Sequence, residues 1–228
     1  MAYRFALFDA DHTLLDFARS ERAAVSLCLA ARGLPTDQET VGLYSRINDG
    51  HWKRLEKGET TRARLKIERF ADLFAALHYD GDPMSMASDY EKTLSQQNHL
   101  MDGALELIQA LYGHCQLYII TNGTASVQKN RFGTCPLSPY FDRCFISEEI
   151  GCNKPEKAFF DAVAASIPNF DPRDALVIGD SLTSDIRGGI NAGLDTCWFN
   201  PNGKAHPEDM VITYTVTRLN EILPIILS

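Results

Sequence analysis

The chain has 228 residues, 45% of them hydrophobic, with 22 Lys and Arg against 30 Asp and Glu, a formal charge of −8. That length suits one large domain or two small ones, and the apolar share is enough for a packed core. An acidic balance offers no basic face for a nucleic acid polymer, and no stretch approaches the ~18 apolar residues of a membrane span.

In chain order, residues 3–9 (YRFALFD) form an apolar run of strand length. With neither a charged n-region nor a cleavage site before them, no secretory signal is evident. From about 17 to 99 the signals are helical throughout. FARSERAAVSLCLAAR closes on Gly33 and Pro35, the usual C-terminal punctuation. Thr36 and Glu39 are spaced as a capping box for a second helix. HWKRLEK predicts a third helix ending at Gly58, and TTRARLKIERFADLFAAL a fourth, with Leu65, Phe70, Leu73, Phe74 and Leu77 in helical period. A fifth opens at Asp82-Pro83.

Beyond about residue 100 strands alternate with helices. QLYIITN (116–122), CFIS (144–147), ALVIGD (175–180), TCWFN (196–200) and ITYTV (212–216) read as strands. Helices fall in GALELIQALYG, PEKAFFDAVAAS, SDIRGGINAG and TRLNEIL, the last bent or ended by Pro224. Strands that are apolar throughout and separated by helices predict a parallel sheet covered on both faces. The organisation expected is an α/β core of residues 1–15 and 100–228, with an all-helical cap, residues 16–99, inserted after the first strand. The six cysteines show neither CxxC pairs nor zinc spacing, as expected of reduced thiols in the cytoplasm.

In parallel sheets ligands bind beyond the carboxyl ends of the strands, and four strand ends here carry polar groups. They are Asp9-Ala10-Asp11-His12-Thr13, Thr121-Asn122-Gly123, Lys154 after the third strand, and Gly179-Asp180 with Asp185 five residues on. Any one alone is an ordinary turn or cap; the ordered set is hard to reach by chance. A carboxylate such as Asp9 can attack phosphorus and form an aspartyl-phosphate. A second, Asp11, can protonate the leaving oxygen and then deprotonate water. Asp9, Asp180 and a backbone carbonyl offer the hard oxygen ligands that Mg²⁺ prefers. Lys154 offsets further charge, and Thr121, Asn122 and the helix N-terminus after Thr124 can bond phosphate oxygens.

DADHT, TNG, KPEKAFF and GDSLTSD together resemble the four motifs of the haloacid dehalogenase superfamily of phosphotransferases, across essentially the whole chain. The resemblance implies a Rossmann-like core with a helical cap, nucleophile Asp9 and acid/base Asp11. It also implies phosphate binding by Thr121 and Lys154, and metal binding by Asp9, Asp180 and the Asp11 carbonyl. Asp185 is implied to orient Lys154 or hold a metal-bound water. Dehalogenating members lack a carboxylate two residues after the nucleophile; Asp11 is present. DADHTLLDFARSE, with His12 in place of the usual glycine, together with KGETTR and GDSLTSDI, is similar to the YjjG-type pyrimidine 5′-nucleotidases.

The expected function is therefore hydrolysis of small phosphate monoesters, nucleoside 5′-monophosphates first, with no membrane or polymer partner. A sugar-phosphate or phosphoglycolate phosphatase is the alternative on the same core. A non-catalytic signalling module such as a receiver domain is the alternative from another class; its short length and lack of an insertion do not match. Arg19 and Glu21 read as a solvated helix face, and Trp52, Phe70 and Phe74 as core of the cap.

Overall fold

The structure, a computed structural model, describes residues 3–228. They divide into two compact units, residues 3–17 with Asn98–Ser228, and Ala18–Gln97.

In the first unit six parallel strands lie in the order β3-β2-β1-β4-β5-β6. They are β1 (Phe5–Phe8), β2 (Gln116–Thr121), β3 (Arg143–Ile146), β4 (Ala175–Gly179), β5 (Asp195–Phe199) and β6 (Tyr214–Val216). The two-residue side-chain period sends alternate residues into different cores. Ala6, Phe8, Leu117, Ile119, Leu176 and Ile178 pack with Leu107, Ile108, Leu111, Phe132, Ile222 and Ile226. Phe5, Leu7, Tyr118, Ile120, Ala175 and Val177 pack with Phe159, Phe160 and Val163. With both faces covered, every residue of β1 and β4 is buried, which is why these strands are apolar without alternation. β1 stands between β2 and β4: the chain runs outward from β1 to β2 and β3, then crosses back to β4 and runs the other way. The strand order thus reverses beside β1, a switch point where parallel sheets open a crevice at their carboxyl ends.

The helical unit holds α1 (Phe17–Ala30, whose first residue belongs to the sheet unit), α2 (Gln38–Glu56), α3 (Arg62–Ala76) and α4 (Pro83–Leu94). Its core takes Val25, Cys28 and Leu29 from α1, Val41 and Tyr44 from α2, Leu65, Phe70, Leu73 and Phe74 from α3, and Met86 and Tyr90 from α4. Such i, i+3, i+4 spacing presents one apolar stripe per helix. Phe70 and Phe74 are core, as read; Trp52 is half-buried, under the Arg62 guanidinium.

Four local expectations change. The second and third helices are one, α2, running through Gly50; a single glycine costs a helix only about 1 kcal/mol. Its cap is Asp37, whose side chain accepts from the Glu39 and Thr40 amides, rather than Thr36. Pro155 opens no helix: a short helix α7 (Ser147–Ile150) follows β3 directly, and α8 (Lys157–Ser166) is capped at Glu156. Pro224 neither bends nor ends the last helix, Ile222–Leu227; it lies in the first turn, where the missing N–H has no partner to lose. The remaining helices of the sheet unit are α5 (Ala104–Leu111), α6 (Ala125–Thr134) and α9 (Arg187–Asn191).

Candidate active site

The chain leaves β1 at Asp9 and turns at His12, whose φ of 66° lies in the left-handed region that favours glycine. A histidine there accepts that strain; its ring is exposed and packs edge-on against Phe17. The turn brings Thr13 back, fully buried, so that its hydroxyl donates to Asp9 Oδ2 at 3.3 Å and accepts from the Asp180 amide at 3.1 Å. One side chain thus ties the end of β1 to the end of β4.

Lys154 is the hub. It is 2% exposed, and its ammonium donates to Asp9 Oδ1 (2.6 Å), Asp185 Oδ1 (2.6 Å) and the Ile120 carbonyl (2.8 Å), using all three protons. Asn122 clasps its backbone: Nδ2 donates to the Lys154 carbonyl at 2.8 Å, and Oδ1 accepts from the Lys154 amide at 3.0 Å. The amide expected to meet phosphate oxygens spends Oδ1 and one Nδ2 proton on the backbone of the lysine that neutralises the site. At the helix terminus after Thr124, the Ala125 amide is taken by the Glu148 carboxylate at 2.6 Å.

Asp180 follows β4, its carbonyl held by the Trp198 indole at 3.0 Å. Asp185 lies in a wide π-type turn, Leu182–Ile186, fully buried; besides Lys154 it accepts from the Ser181 amide at 3.1 Å. Gly179 makes this possible, because a Cβ there would overlap the Asp185 carboxylate. Asp9, Asp180 and Asp185 offer oxygens within 4.8 Å of one another, a set able to hold a cation. Burial raises Asp180 to about 6, helped by Asp185. Burial, then Asp185, pushes Asp9 well above the usual carboxylate range, against the pull of Lys154. Burial works against the Lys154 charge, but Asp185 and Asp9 outweigh it and hold the ammonium well above its ordinary value.

The fourth carboxylate, Asp11, is served from α6. Arg131 Nη1 donates to its Oδ1 at 2.5 Å and Gln128 Nε2 to its Oδ2 at 2.7 Å; Gln128 also donates to Thr121 Oγ1 at 3.0 Å. The Thr121 hydroxyl, 1% exposed, accepts from the Gly123 amide as well, leaving its own proton to give. All the residues singled out in the sequence thus gather at the carboxyl ends of β1, β2 and β4 and the segment after β3. Thr13, Gln128, Arg131 and Trp198 are additions. Thr13 stood inside a quoted motif; the other three had no signal beyond lying in an ordinary helix and strand.

The fold and this ordered set of carboxylates and lysine define a class: the haloacid dehalogenase-like hydrolase family matches residues 3–193, and the chain belongs to it. Within it, the chain is 38% identical to the HAD-hydrolase YfnB of Bacillus subtilis over 98% of this chain and 95% of that one. It is 37% identical to the pyrimidine 5′-nucleotidase PynA of Streptococcus pneumoniae (98% and 94%), and 32% identical to the pyrimidine 5′-nucleotidase YjjG of Escherichia coli (97% of each). A crystal structure of YfnB bound to magnesium superposes with a TM-score of 0.94 over 99% of both chains.

Proposed function

We propose that this hydrolase is a magnesium-dependent phosphatase that acts through an aspartyl-phosphate and prefers nucleoside 5′-monophosphates, pyrimidine ones foremost. The observation that carries it is Asp9 itself: a carboxylate 8% exposed at the end of the central strand, gripped by a buried lysine and crowded by Asp180 and Asp185. The similarity to two pyrimidine 5′-nucleotidases along nearly the whole chain supports the substrate class.

The donor set fits a hard divalent cation. Three carboxylates against one ammonium leave two formal negative charges. Asp9, Asp180 and the Asp11 carbonyl would hold Mg²⁺, with Asp185 supporting. When bound, the ion neutralises charge on the phosphoryl oxygens.

The chain's own groups do the rest. An Asp9 oxygen bonds to phosphorus as the ester bond breaks, and Asp11 gives its proton to the leaving oxygen. Asp11 then takes a proton from water, which attacks phosphorus and releases Asp9 with its electron pair. Lys154 holds Asp9 in line and, with the Thr121 hydroxyl, offsets charge on the phosphoryl group. We assign discrimination between leaving groups to the helical unit, because the core motifs address phosphate and cation only. Six free thiols support a reducing compartment, the cytoplasm.

The test is a phosphate-release screen across nucleotides, sugar phosphates and phosphoglycolate with Mg²⁺ present. Uridine and thymidine 5′-monophosphates are expected to show the highest kcat/KM. A tenfold advantage for a hexose phosphate or phosphoglycolate would remove the nucleotide preference and leave the phosphatase.

A further inference from the structure

Asp11 is partly exposed, its side chain at 22% of full accessibility, on a loop just past the end of a strand. An aspartate in that position ordinarily samples several rotamers. Here both oxygens are pinned, one by Arg131 and one by Gln128, and the two donors are themselves immobile, with Arg131 0% and Gln128 1% exposed. They stand three residues apart on α6 and so share a face of that helix. Gly123 is part of the device: a Cβ there would overlap the Gln128 side chain, so only glycine lets the amide reach Thr121 and Asp11 together.

We propose that Gln128 and Arg131 are positioning residues for proton transfer by Asp11; the proposal rests on the phosphatase reading above. Each carboxylate oxygen has about two acceptor sites, and the clamp takes one from each. One site per oxygen remains to meet the leaving oxygen or the water. Fixing the plane of the carboxylate raises the fraction of encounters in which the proton lies within hydrogen-bond reach of its target, the requirement for general acid catalysis. Gln128 adds a link to Thr121, so the acid/base and a phosphate donor keep a constant spacing.

The experiment separates positioning from mere support by varying the leaving group. An alkoxide departs badly unless protonated, whereas p-nitrophenolate needs no proton. kcat/KM reports the steps through the first phosphoryl transfer. Arg131→Met and Gln128→Leu would be compared with wild type on uridine 5′-monophosphate and on p-nitrophenyl phosphate. If wild type does not turn over the nucleotide, glycerol phosphate, another alkyl ester, takes its place.

Loss of a well-placed general acid costs about 10²–10⁴-fold. Arg131→Met is expected to lose at least ~30-fold on the alkyl ester and under ~3-fold on the aryl ester, with Gln128→Leu showing a smaller split of the same sign. Arg131→Lys should recover part of the loss, and Arg131→Met added to Asp11→Asn should cost the alkyl ester less than ~3-fold more. Equal losses on both esters in both variants would overturn the proposal, as would a gain on the alkyl ester. Failure of the underlying reading shows separately, as undiminished turnover in Asp9→Asn.

Discussion

Each unit of this chain buries a polar network, and the two networks differ in how their charge closes. In the helical unit Glu21 of α1 accepts from Ser45 (2.6 Å) and Asn48 (2.7 Å) of α2, and Asn48 Oδ1 accepts from Arg69 of α3 at 3.0 Å. Arg69 lies over the rings of Phe70 and Tyr90. One carboxylate is matched by one guanidinium through a bridging amide. In the sheet unit three carboxylates meet one ammonium, and burial, helped by Asp185, pushes Asp180 to about 6. A balanced network can hold a fold together by itself; an unbalanced one costs stability until a cation enters. The excess charge marks where binding free energy is to be gained.

The sharpest way to break this comparison is to withhold the cation. Chelation with EDTA is expected to abolish phosphate release, and Mg²⁺ to restore it better than Ca²⁺, whose longer bonds and higher coordination number misplace the ligands. Full turnover in excess chelator would contradict the contrast. Next in size, Lys154→Met removes the ammonium that meets both Asp9 and Asp185. It leaves Asp9 and Asp185 unpaired in the interior, so kcat should fall by at least ~10²-fold and stability by about 3–5 kcal/mol, read by denaturant unfolding. Wild-type stability in that variant would show that the lysine does not offset those carboxylates.

The helical network should behave as support. Glu21→Ala or Arg69→Met should each cost about 2–4 kcal/mol of stability by leaving a buried polar partner, while kcat/KM on p-nitrophenyl phosphate stays within ~3-fold. The pair together should cost less than the sum. Turnover falling as far as stability would erase the distinction.

The smallest effect is one of pH. Burial and Asp185 lift Asp180 to about 6, so the folded, metal-free protein holds that proton more tightly than the unfolded chain. The resulting stabilisation is full below about pH 4 and is lost as pH rises through about 6. Metal-free protein should therefore gain a contribution of about a few degrees in Tm between pH 7 and pH 5, and Mg²⁺ should raise Tm more at pH 7.5 than at pH 5. A Mg²⁺ shift independent of pH would contradict it.

The two networks also differ in how readily they are read from sequence. Asp9, Asp11, Asp180, Asp185 and Lys154 stand in short runs next to apolar strands, so strand recognition alone delivers them to one rim. Glu21, Ser45, Asn48 and Arg69 lie on three helices, each as one polar residue among many. Glu21 reads as a solvated face yet is 5% exposed, because the Ser45 and Asn48 donors that make its burial tolerable are 24 and 27 residues away. Arg131 and Gln128 were hidden for the same reason: a polar i, i+3 pair on a helix looks like surface until its partner, 117 to 120 residues distant, is placed. Asn122 and the Ala125 amide were visible as polar groups at the right strand end, but their partners, the Lys154 backbone and Glu148, come from another segment. Short contiguous motifs carry chemistry in one dimension; positioning contacts exist only in three.

The central claim is that Asp9 carries the phosphoryl group, and acid quenching during turnover with Mg²⁺ tests it most directly. Borohydride reduction of the quenched protein and peptide mapping should place the acyl phosphate on Asp9, and Asp9→Asn should carry none while losing at least ~10³-fold in kcat. A phosphoryl group on any other residue, or near wild-type turnover in Asp9→Asn, would contradict the account.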